Sequence, residues 1–285
     1  MKNRTLSKTQ THRLQMTIIY IILILCAIVS IFPFFWMVTT SFKSTAEAYA
    51  FPPTIFPKRW LVSNFTNGLA AADFGRFTLN TLFLVVVNTV GTVLSSAFVA
   101  YGFAKFPCKG SKFWYTCLMA TMMLPSQVTL IPQYLLYYKM GMVDTYLPLI
   151  IPSILGGGAY NIFLYRQFFL SLPKELNEAA MIDGASSFQT FTHIMLPSVK
   201  PVSMCVGVMS LVYNWNDFFN PLIYLNSTEN FTVSIGLQFL NSSMGTTKIG
   251  QMMAVALIMT LPVLVIFFVC QRYFVEGIKM QGIKG

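Results

Sequence analysis

The chain has 285 residues, of which 55% are hydrophobic and only 10% are charged. Soluble domains carry roughly 25% charged residues, so the composition indicates an integral membrane protein. The net charge of +10 does not indicate a nucleic-acid binder, because Lys and Arg lie in small groups between apolar runs. Two histidines and five cysteines without CxxC spacing provide neither a set of metal ligands nor a disulfide framework.

Six apolar segments are long enough for a membrane-spanning helix, which needs about 20 mostly apolar residues. In chain order they are 16–38, 80–104, 113–137, 146–170, 199–224 and 252–273. The first has an apolar stretch of about 23 residues, which is longer than the core of a signal peptide, so we expect a retained helix. Pro125 and Pro132 interrupt the third segment. Gly156, Gly157 and Gly158 should bend or open the fourth.

Lys and Arg are divided unevenly between the two sets of loops that these segments define. The set with both termini, counted with the residues at the span ends, holds 13 of the 19, and the other set holds six. The side richer in Lys and Arg is normally cytoplasmic. We therefore expect a cytoplasmic tail at 1–15, one six-helix transmembrane domain at 16–275 and a cytoplasmic tail at 276–285. The loop at about 171–198 then lies on the cytoplasmic side.

The loop 171–198 is fairly polar, and its residues favour two short helices. Gly184 fits the left-handed position that ends a helix. Ser186 and Gln189 have the spacing of a capping box for a second helix, which we expect Pro197 to end before the fifth span. The prediction is a helix, a glycine turn and a second short helix.

The first of these helices carries acidic and small side chains. A helix that lies on lipid would instead carry Lys and Arg on one face and bulky apolar residues on the other. Glu178 and Asp183 offer carboxylates to a basic partner. Leu176, Ala179, Ala180 and Asp183 share one face by their spacing, and the two alanines would let another backbone approach closely. This pattern favours docking to a protein over an interfacial helix.

The loop has the form Glu-Ala-Ala at 178–180, three residues, Gly184, nine residues and Ile-x-Leu-Pro at 194–197. This form resembles the coupling loop of the permeases of bacterial binding-protein-dependent ABC importers. Four further stretches are similar to the sugar-importing branch of that family, at 123–132, 166–173, 214–222 and 272–279. The chain looks most like the maltose-transporter-like permease that lacks extra N-terminal helices.

The resemblance implies an all-α protein of the bacterial inner membrane. It would have six transmembrane helices, the type I ABC importer permease fold and both termini in the cytoplasm. It implies that five loop residues sit in a cleft of a cytoplasmic ATPase dimer: Glu178, Ala179, Ala180, Asp183 and Gly184. Closure of that dimer on ATP would swing the spans from inward-open to outward-open. A second permease and an extracytoplasmic sugar-binding protein are the other implied partners, besides the lipid bilayer.

No phosphate-binding GxxxxGK[ST] loop occurs in the sequence. ATP and Mg²⁺ are therefore expected on the partner ATPase, with no cofactor on this chain. No arrangement of Ser, His, Asp or Cys suggests catalysis. The prediction is a transport subunit of a carbohydrate importer, and not an enzyme.

A polar group in the fifth segment is the predicted part of the substrate path: Asn214, Trp215, Asn216 and Asp217. An aromatic ring beside amide and carboxylate groups suits sugar recognition. A Trp with polar neighbours is equally typical of the aromatic belt at a membrane surface. Asp217, the one acidic residue in the predicted spans, lies about 25 Å from Lys200 along a helix, near the outer end. This position argues against an ion-coupled carrier.

Three alternatives remain open at the level of sequence. The first is an importer of the same architecture for another solute, such as a polyol, glycerol phosphate or an amino acid. The second is an ATP-independent channel or carrier. The third is a membrane scaffold that anchors a cytoplasmic partner and transports nothing.

Overall fold

The computed structural model describes residues 8–106, 108–243 and 248–281, which form helices joined by turns and loops, without a β-strand in these ranges. The α-helices are α1 Lys8–Ser41, α2 Thr45–Ala48, α3 Ser63–Ala70, α4 Phe74–Lys105, α5 Ser111–Thr121, α6 Ser126–Lys139, α7 Leu147–Ile154, α8 Ala159–Ser171, α9 Glu175–Ile182, α10 Ser187–Thr190, α11 Leu196–Ser198, α12 Lys200–Asn216, α13 Phe219–Tyr224, α14 Val233–Ser243 and α15 Ile249–Gln281. A π-helix, Phe191–Met195, lies between α10 and α11, and a 3-10 helix, Thr228–Asn230, precedes α14. The all-α prediction is confirmed.

Length and hydropathy identify the helices that can cross a membrane. In the described ranges four qualify: Gln15–Ser41, Phe74–Lys105, Leu147–Ser171 and Ile249–Val269. A fifth follows if Ser187–Ser198 and Lys200–Asn216, which are bent by 80° at their junction, count as one span. These helices correspond to the first, second, fourth, sixth and fifth predicted segments. The ends of the two predicted tails, 1–7 and 282–285, lie outside the described residues.

The third predicted segment, 113–137, is divided between α5 and α6. α5 ends at Thr121 and α6 begins at Ser126, so the two helices have 11 and 14 residues. Pro125 occupies the position before α6, where its missing N–H costs no helical hydrogen bond, whereas Pro132 lies inside α6. The interruption expected at Pro125 is therefore present as a break between two helices, whereas Pro132 does not end α6.

The fourth predicted segment is also interrupted, as its glycines indicated. α7 ends at Ile154 and α8 begins at Ala159. Between them Gly156, Gly157 and Gly158 have φ angles of +113°, +64° and +92°. Residues with a Cβ rarely adopt such angles, so the glycines permit the break in the helix.

The chain divides into two compact units, Met1–Ala72 with Leu240–Met259 and Asp73–Phe239 with Thr260–Gly285. In the first unit a buried lysine follows α1. Its amine donates to the carbonyl oxygen of Thr54 at 2.5 Å and lies 4.3 Å from the centroid of the Trp36 ring. Burial lowers the pKa of this group, Lys43, from its ordinary value. Asn64 donates to the carbonyl oxygen of Lys43 at 2.9 Å, which fixes the chain as it leaves α1.

In the second unit α4 packs against α7, α8 and α12. The buried core lies near the C-terminal end of α4 and consists of Ala97, Ala100, Tyr101, Ile162, Leu164, Tyr165, Phe169, Phe191, Met195, Val199, Val202 and Val206. The Tyr101 ring centroid is 5.7 Å from that of Phe169 and 5.3 Å from that of Phe191. This aromatic core therefore joins α4 and α8 to the π-helix of the loop 171–198.

Candidate functional site

The loop 171–198 contains the predicted helix, glycine turn and second helix. Gly184 has a φ angle of +78° and ends the first helix after Asp183. Ser186 and Gln189 form the complete capping box of α10, with both reciprocal hydrogen bonds present. Pro197 differs from expectation, since it lies in the first turn of α11 and the helix axis bends only afterwards, at Val199. A proline fits there because the first turn of a helix needs no N–H from it.

The inner side of this loop is tied to the core. Ala180 is only 3% exposed, and Phe191 and Met195 of the π-helix are buried. The Tyr101 hydroxyl donates to Asn177 Oδ1 at 3.3 Å, which links α9 to α4. A displacement of α9 or of the π-helix would therefore move α4 as well, because close-packed interiors transmit strain.

The outer side of the loop exposes large apolar side chains. Met181 is 66% exposed, Ile182 is 86% exposed and Phe188 is 64% exposed. Glu178 and Asp183 are exposed beside them. We call Met181, Ile182 and Phe188, together with Glu178 and Asp183, the loop surface. Contiguous exposed apolar residues with a polar rim are typical of an interaction site.

The predicted coupling residues divide between the two sides. Glu178, Ala179, Asp183 and Gly184 are exposed, whereas Ala180 packs against its own chain. The expectation that both alanines are open to another backbone is therefore not met at Ala180, because α9 turns that position toward the core. Met181, Ile182 and Phe188 were missed. The adjacent pair of large apolar residues just before the glycine turn was the available signal.

A polar cavity of about 510 Å³ lies on the opposite half of the second unit, between α4, α6, α7, α12 and α13. Asn88 Nδ2 on α4 donates to Asn214 Oδ1 on α12 at 2.8 Å, and Asn214 donates to the carbonyl oxygen of Ser210 at 2.7 Å. Asn88 Oδ1 and Thr232 Oγ1 are buried at the cavity and have no hydrogen-bond partner among the described residues. Such atoms are normally satisfied by water or a ligand.

The cavity is limited along α4 by a close contact between main chains. A Cβ at Gly157 would lie 2.7 Å from the carbonyl oxygen of Thr92 and 2.9 Å from its Cα. Ser95 Oγ donates to the carbonyl oxygen of Ser153 at 2.8 Å, one turn further along. The break between α7 and α8 therefore permits the main chain at Gly157 to pack closely against α4.

A second recess of about 590 Å³ adjoins the cavity and shares Gln133, Tyr213, Asp217 and Asn220 with it. The Asp217 carboxylate accepts hydrogen bonds from the Asn220 main chain at 3.2 Å and from its side-chain amide at 2.9 Å. One carboxylate is thus held in a fixed orientation where the two recesses meet.

The predicted path residues are only partly brought together. Asn214 and Asp217 line the cavity, and Asn216 and Asp217 line the second recess. The structure does not bring Trp215 to either recess, and this side chain is only 6% exposed. Its position in α12 turns it into the bundle. Asn88 was missed, and a polar residue inside the apolar second segment was the available signal.

Asp144 connects the chain at Asn226 and Ser227 with the cavity-lining residue Tyr224. The carboxylate accepts hydrogen bonds from the main-chain N–H groups of Asn226 and Ser227, both at 2.9 Å, and from the Ser227 hydroxyl. Its own N–H donates to the carbonyl oxygen of Tyr224, which lines the cavity. These hydrogen bonds, first that of the Ser227 hydroxyl, hold the pKa of Asp144 at about 2. Across the described ranges no three His, Cys, Asp or Glu side chains gather where they could hold a metal ion.

The fold is that of an ABC importer permease. The chain aligns over 95% of its length with the whole of a chain from the crystal structure of a bacterial ABC transporter involved in the import of the acidic polysaccharide alginate, with a TM-score of 0.83 and 21% identity. This likeness identifies the type I permease fold.

The chain belongs to the family of binding-protein-dependent transport system inner membrane components, whose family model matches residues 93–280. It is 31% identical over 279 residues to the arabinooligosaccharides transport system permease protein AraQ of Bacillus subtilis (96% of both chains) and 32% identical over 273 residues to the lactose transport system permease protein LacG of Rhizobium radiobacter (94% of this chain, 97% of LacG). It is 33% identical over 265 residues to the sn-glycerol-3-phosphate transport system permease protein UgpE of Escherichia coli O1:K1 (90% of this chain, 93% of UgpE). The chain is thus a multi-pass inner-membrane permease.

Proposed function

We propose that this permease is a subunit of an ATP-driven carbohydrate importer. In this proposal it forms the translocation path with a second permease, and a separate cytoplasmic ATPase dimer drives it through the loop 171–198. ATP and Mg²⁺ are bound by that ATPase. Family membership supports the transport role, and the loop surface is the single observation that carries the coupling role.

The loop surface is suited to docking into a cleft of another protein. Ile182 at its centre is 86% exposed. Burying a side chain of this size against a partner contributes about 1.5–3 kcal/mol, so Met181, Ile182 and Phe188 together supply a useful fraction of a binding energy. Glu178 and Asp183 at the edge select a partner with basic groups. The space beside Gly184 is open, because a Cβ there would meet nothing within 4 Å in the described part of the chain. The backbone of a partner could therefore approach Gly184 closely.

Movement of the docked loop would reach the membrane helices along two routes. The hydrogen bond between Tyr101 and Asn177 connects α9 with α4. The ring contact between Tyr101 and Phe191 connects the π-helix with the same position of α4. Because α4 also lines the polar cavity, closure of an ATPase dimer on the loop would change the shape of that cavity.

We assign six spans, with both termini and the loop 171–198 in the cytoplasm. The third crossing is then made by α5 and α6 together, which extend from Ser111 to Lys139. The distribution of 13 against six Lys and Arg residues supports this orientation. It places the polar cavity toward the outer side, where a substrate-binding protein would deliver the solute.

The relatives named for arabinooligosaccharides and lactose support a carbohydrate as the solute. The hydroxyl and amide groups of the cavity are consistent with such a solute, since they pair with sugar hydroxyls. A second candidate is a glycerol phosphate permease, because the relative named for sn-glycerol 3-phosphate is equally similar.

The test is uptake into proteoliposomes that contain this chain, the second permease and the ATPase. ATP is enclosed on the ATPase side, and the binding protein is added on the other side. We expect saccharide uptake that requires ATP, the ATPase and the binding protein. Uptake that persists without the ATPase would identify a channel or carrier. An ATPase that binds the chain while no solute is taken up would identify a scaffold.

A further inference from the structure

The polar cavity and the adjoining recess have an unusual charge balance. Asp217, which lines both, is the only side chain among the described lining residues that carries a full charge. The other lining residues are amides, hydroxyls, tyrosines, glycines and apolar side chains, with no Lys, Arg or His among those described. A site for a carboxylate or phosphate group normally supplies Arg or Lys as the partner.

Helix ends contribute the remaining electrostatic field. The N-terminus of α8 adjoins the cavity at Gly158, and it contributes about half an elementary positive charge. The C-terminus of α12 immediately precedes Asp217 and contributes a similar negative charge. These partial charges are opposite in sign, and each is smaller than the full negative charge of Asp217, which lies where the recesses meet.

The acceptors Asn88 Oδ1 and the Asp217 carboxylate suit a solute with hydrogen-bond donors. Asn88 Nδ2 is already used by Asn214, so Asn88 Oδ1 is an acceptor without a donor among the described residues. Asp217 is likewise an acceptor, and Asn220 donates to it. A sugar hydroxyl can donate to such acceptors, whereas an ionised phosphate or carboxylate cannot.

We infer that this path passes uncharged, hydroxyl-rich saccharides and disfavours phosphorylated or uronic ones, with Asp217 as the specificity-determining residue. The inference rests on the proposed function, which it narrows to one solute class. A preference for uncharged solutes would distinguish this chain from its relative named for sn-glycerol 3-phosphate, which sequence identity alone does not do.

The first experiment measures the local field and needs no knowledge of the solute. The complete transporter carries Tyr213→Cys, one helical turn from Asp217, in a background without the native cysteines. A cationic and an anionic methanethiosulfonate of similar size are compared, each normalised to its rate with a free thiol. We expect the cationic reagent to react about tenfold faster, as one charge at about 6 Å in a watery path predicts. Asp217→Asn in the same background should abolish the preference.

If Tyr213→Cys with Asp217 intact reacts faster with the anionic reagent, the inference is overturned. An equal ratio with and without Asp217→Asn would also overturn it. Should Asp217→Asn fail to assemble, the ratio at Tyr213→Cys with Asp217 intact still decides the sign of the field. Glu229→Gln is the matched control, because Glu229 is an acidic residue that lines neither recess and should leave the ratio unchanged.

The second experiment separates this inference from the proposed function. ATP-dependent uptake is measured for a pool of neutral oligosaccharides and for a pool of uronic acids and sugar or glycerol phosphates. Uptake from the neutral pool alone supports both proposals. Uptake from the anionic pool would overturn the inference and leave an ATP-driven importer intact. ATP-dependent uptake from neither pool would overturn the proposed function itself.

Discussion

Gly157→Ala should disrupt the packing of α4 against the break between α7 and α8. The added Cβ would lie 2.7 Å from the carbonyl oxygen of Thr92 and 2.9 Å from its Cα. Both are main-chain atoms, so no side-chain rotation can relieve the contact. Either α4 or the glycine turn has to move, and the cavity that both line would change shape.

The loss of stability expected for Gly157→Ala has two contributions, and a control variant separates them. A left-handed residue with a Cβ costs about 1–2 kcal/mol, and forcing extra atoms into a packed interior typically adds about 1–3 kcal/mol. Gly141 has a φ angle of +68°, against +64° for Gly157, and a Cβ at Gly141 would meet nothing within 4 Å in the described ranges. Gly141→Ala should therefore cost only the first part, and Gly157→Ala both.

Thermal unfolding of the purified chain in detergent measures this difference. At about 2–4 °C per kcal/mol for a chain of this size, Gly157→Ala should unfold roughly 2–12 °C below Gly141→Ala. ATP-driven uptake should fall for Gly157→Ala and not for Gly141→Ala. Equal melting temperatures for the two variants would refute the close contact between Gly157 and α4.

Three further predictions follow from the loops and the core. Asp144→Asn should lower the melting temperature at pH 7. The pKa of Asp144 is depressed to about 2 in the folded chain, so the ionised carboxylate stabilises the fold above about pH 4. The difference in melting temperature between the variant and the unmodified chain should therefore disappear as the pH falls from about 4 toward 2. Phe191→Ala should cost about 3–5 kcal/mol of unfolding free energy, measured by denaturant titration, because it empties a buried site beside Tyr101; a cost below about 1 kcal/mol would contradict the role of that ring as an anchor. Gly184→Trp should leave membrane insertion intact yet uncouple ATP hydrolysis from uptake, whereas Gly141→Trp, with a similar φ angle and equal space, should remain coupled.

Local sequence signals predicted the local structure well. Gly184 in the left-handed region and the capping box of Ser186 and Gln189 depend on residues within one turn of each other, and both are present. The glycine break after α7 depends likewise on φ preference alone. The length of the apolar segments identified the first, second, fourth and sixth spans, because the thickness of the bilayer fixes the length of a spanning helix.

Features that depend on tertiary contact could not be predicted from the pattern. Trp215 is buried because of the way α12 packs, and its neighbours in sequence do not reveal that orientation. The bond between Asn88 and Asn214 joins residues 126 positions apart. Ala180 points inward because Tyr101 and the core lie on that side of α9. The π-helix at Phe191–Met195 has no established sequence signature of its own.

The most direct test of the central claim is co-purification of the ATPase with this chain in detergent. Unmodified chain is compared with Glu178→Lys and Ile182→Glu, which alter the loop surface by charge and by loss of apolar contact. Val62→Glu, at an exposed apolar residue outside the loop 171–198, is the matched control. The account predicts that the ATPase is recovered with the unmodified chain and with Val62→Glu and is lost with both loop variants. Recovery of the ATPase with all four chains alike, each well folded, would contradict docking at the loop surface.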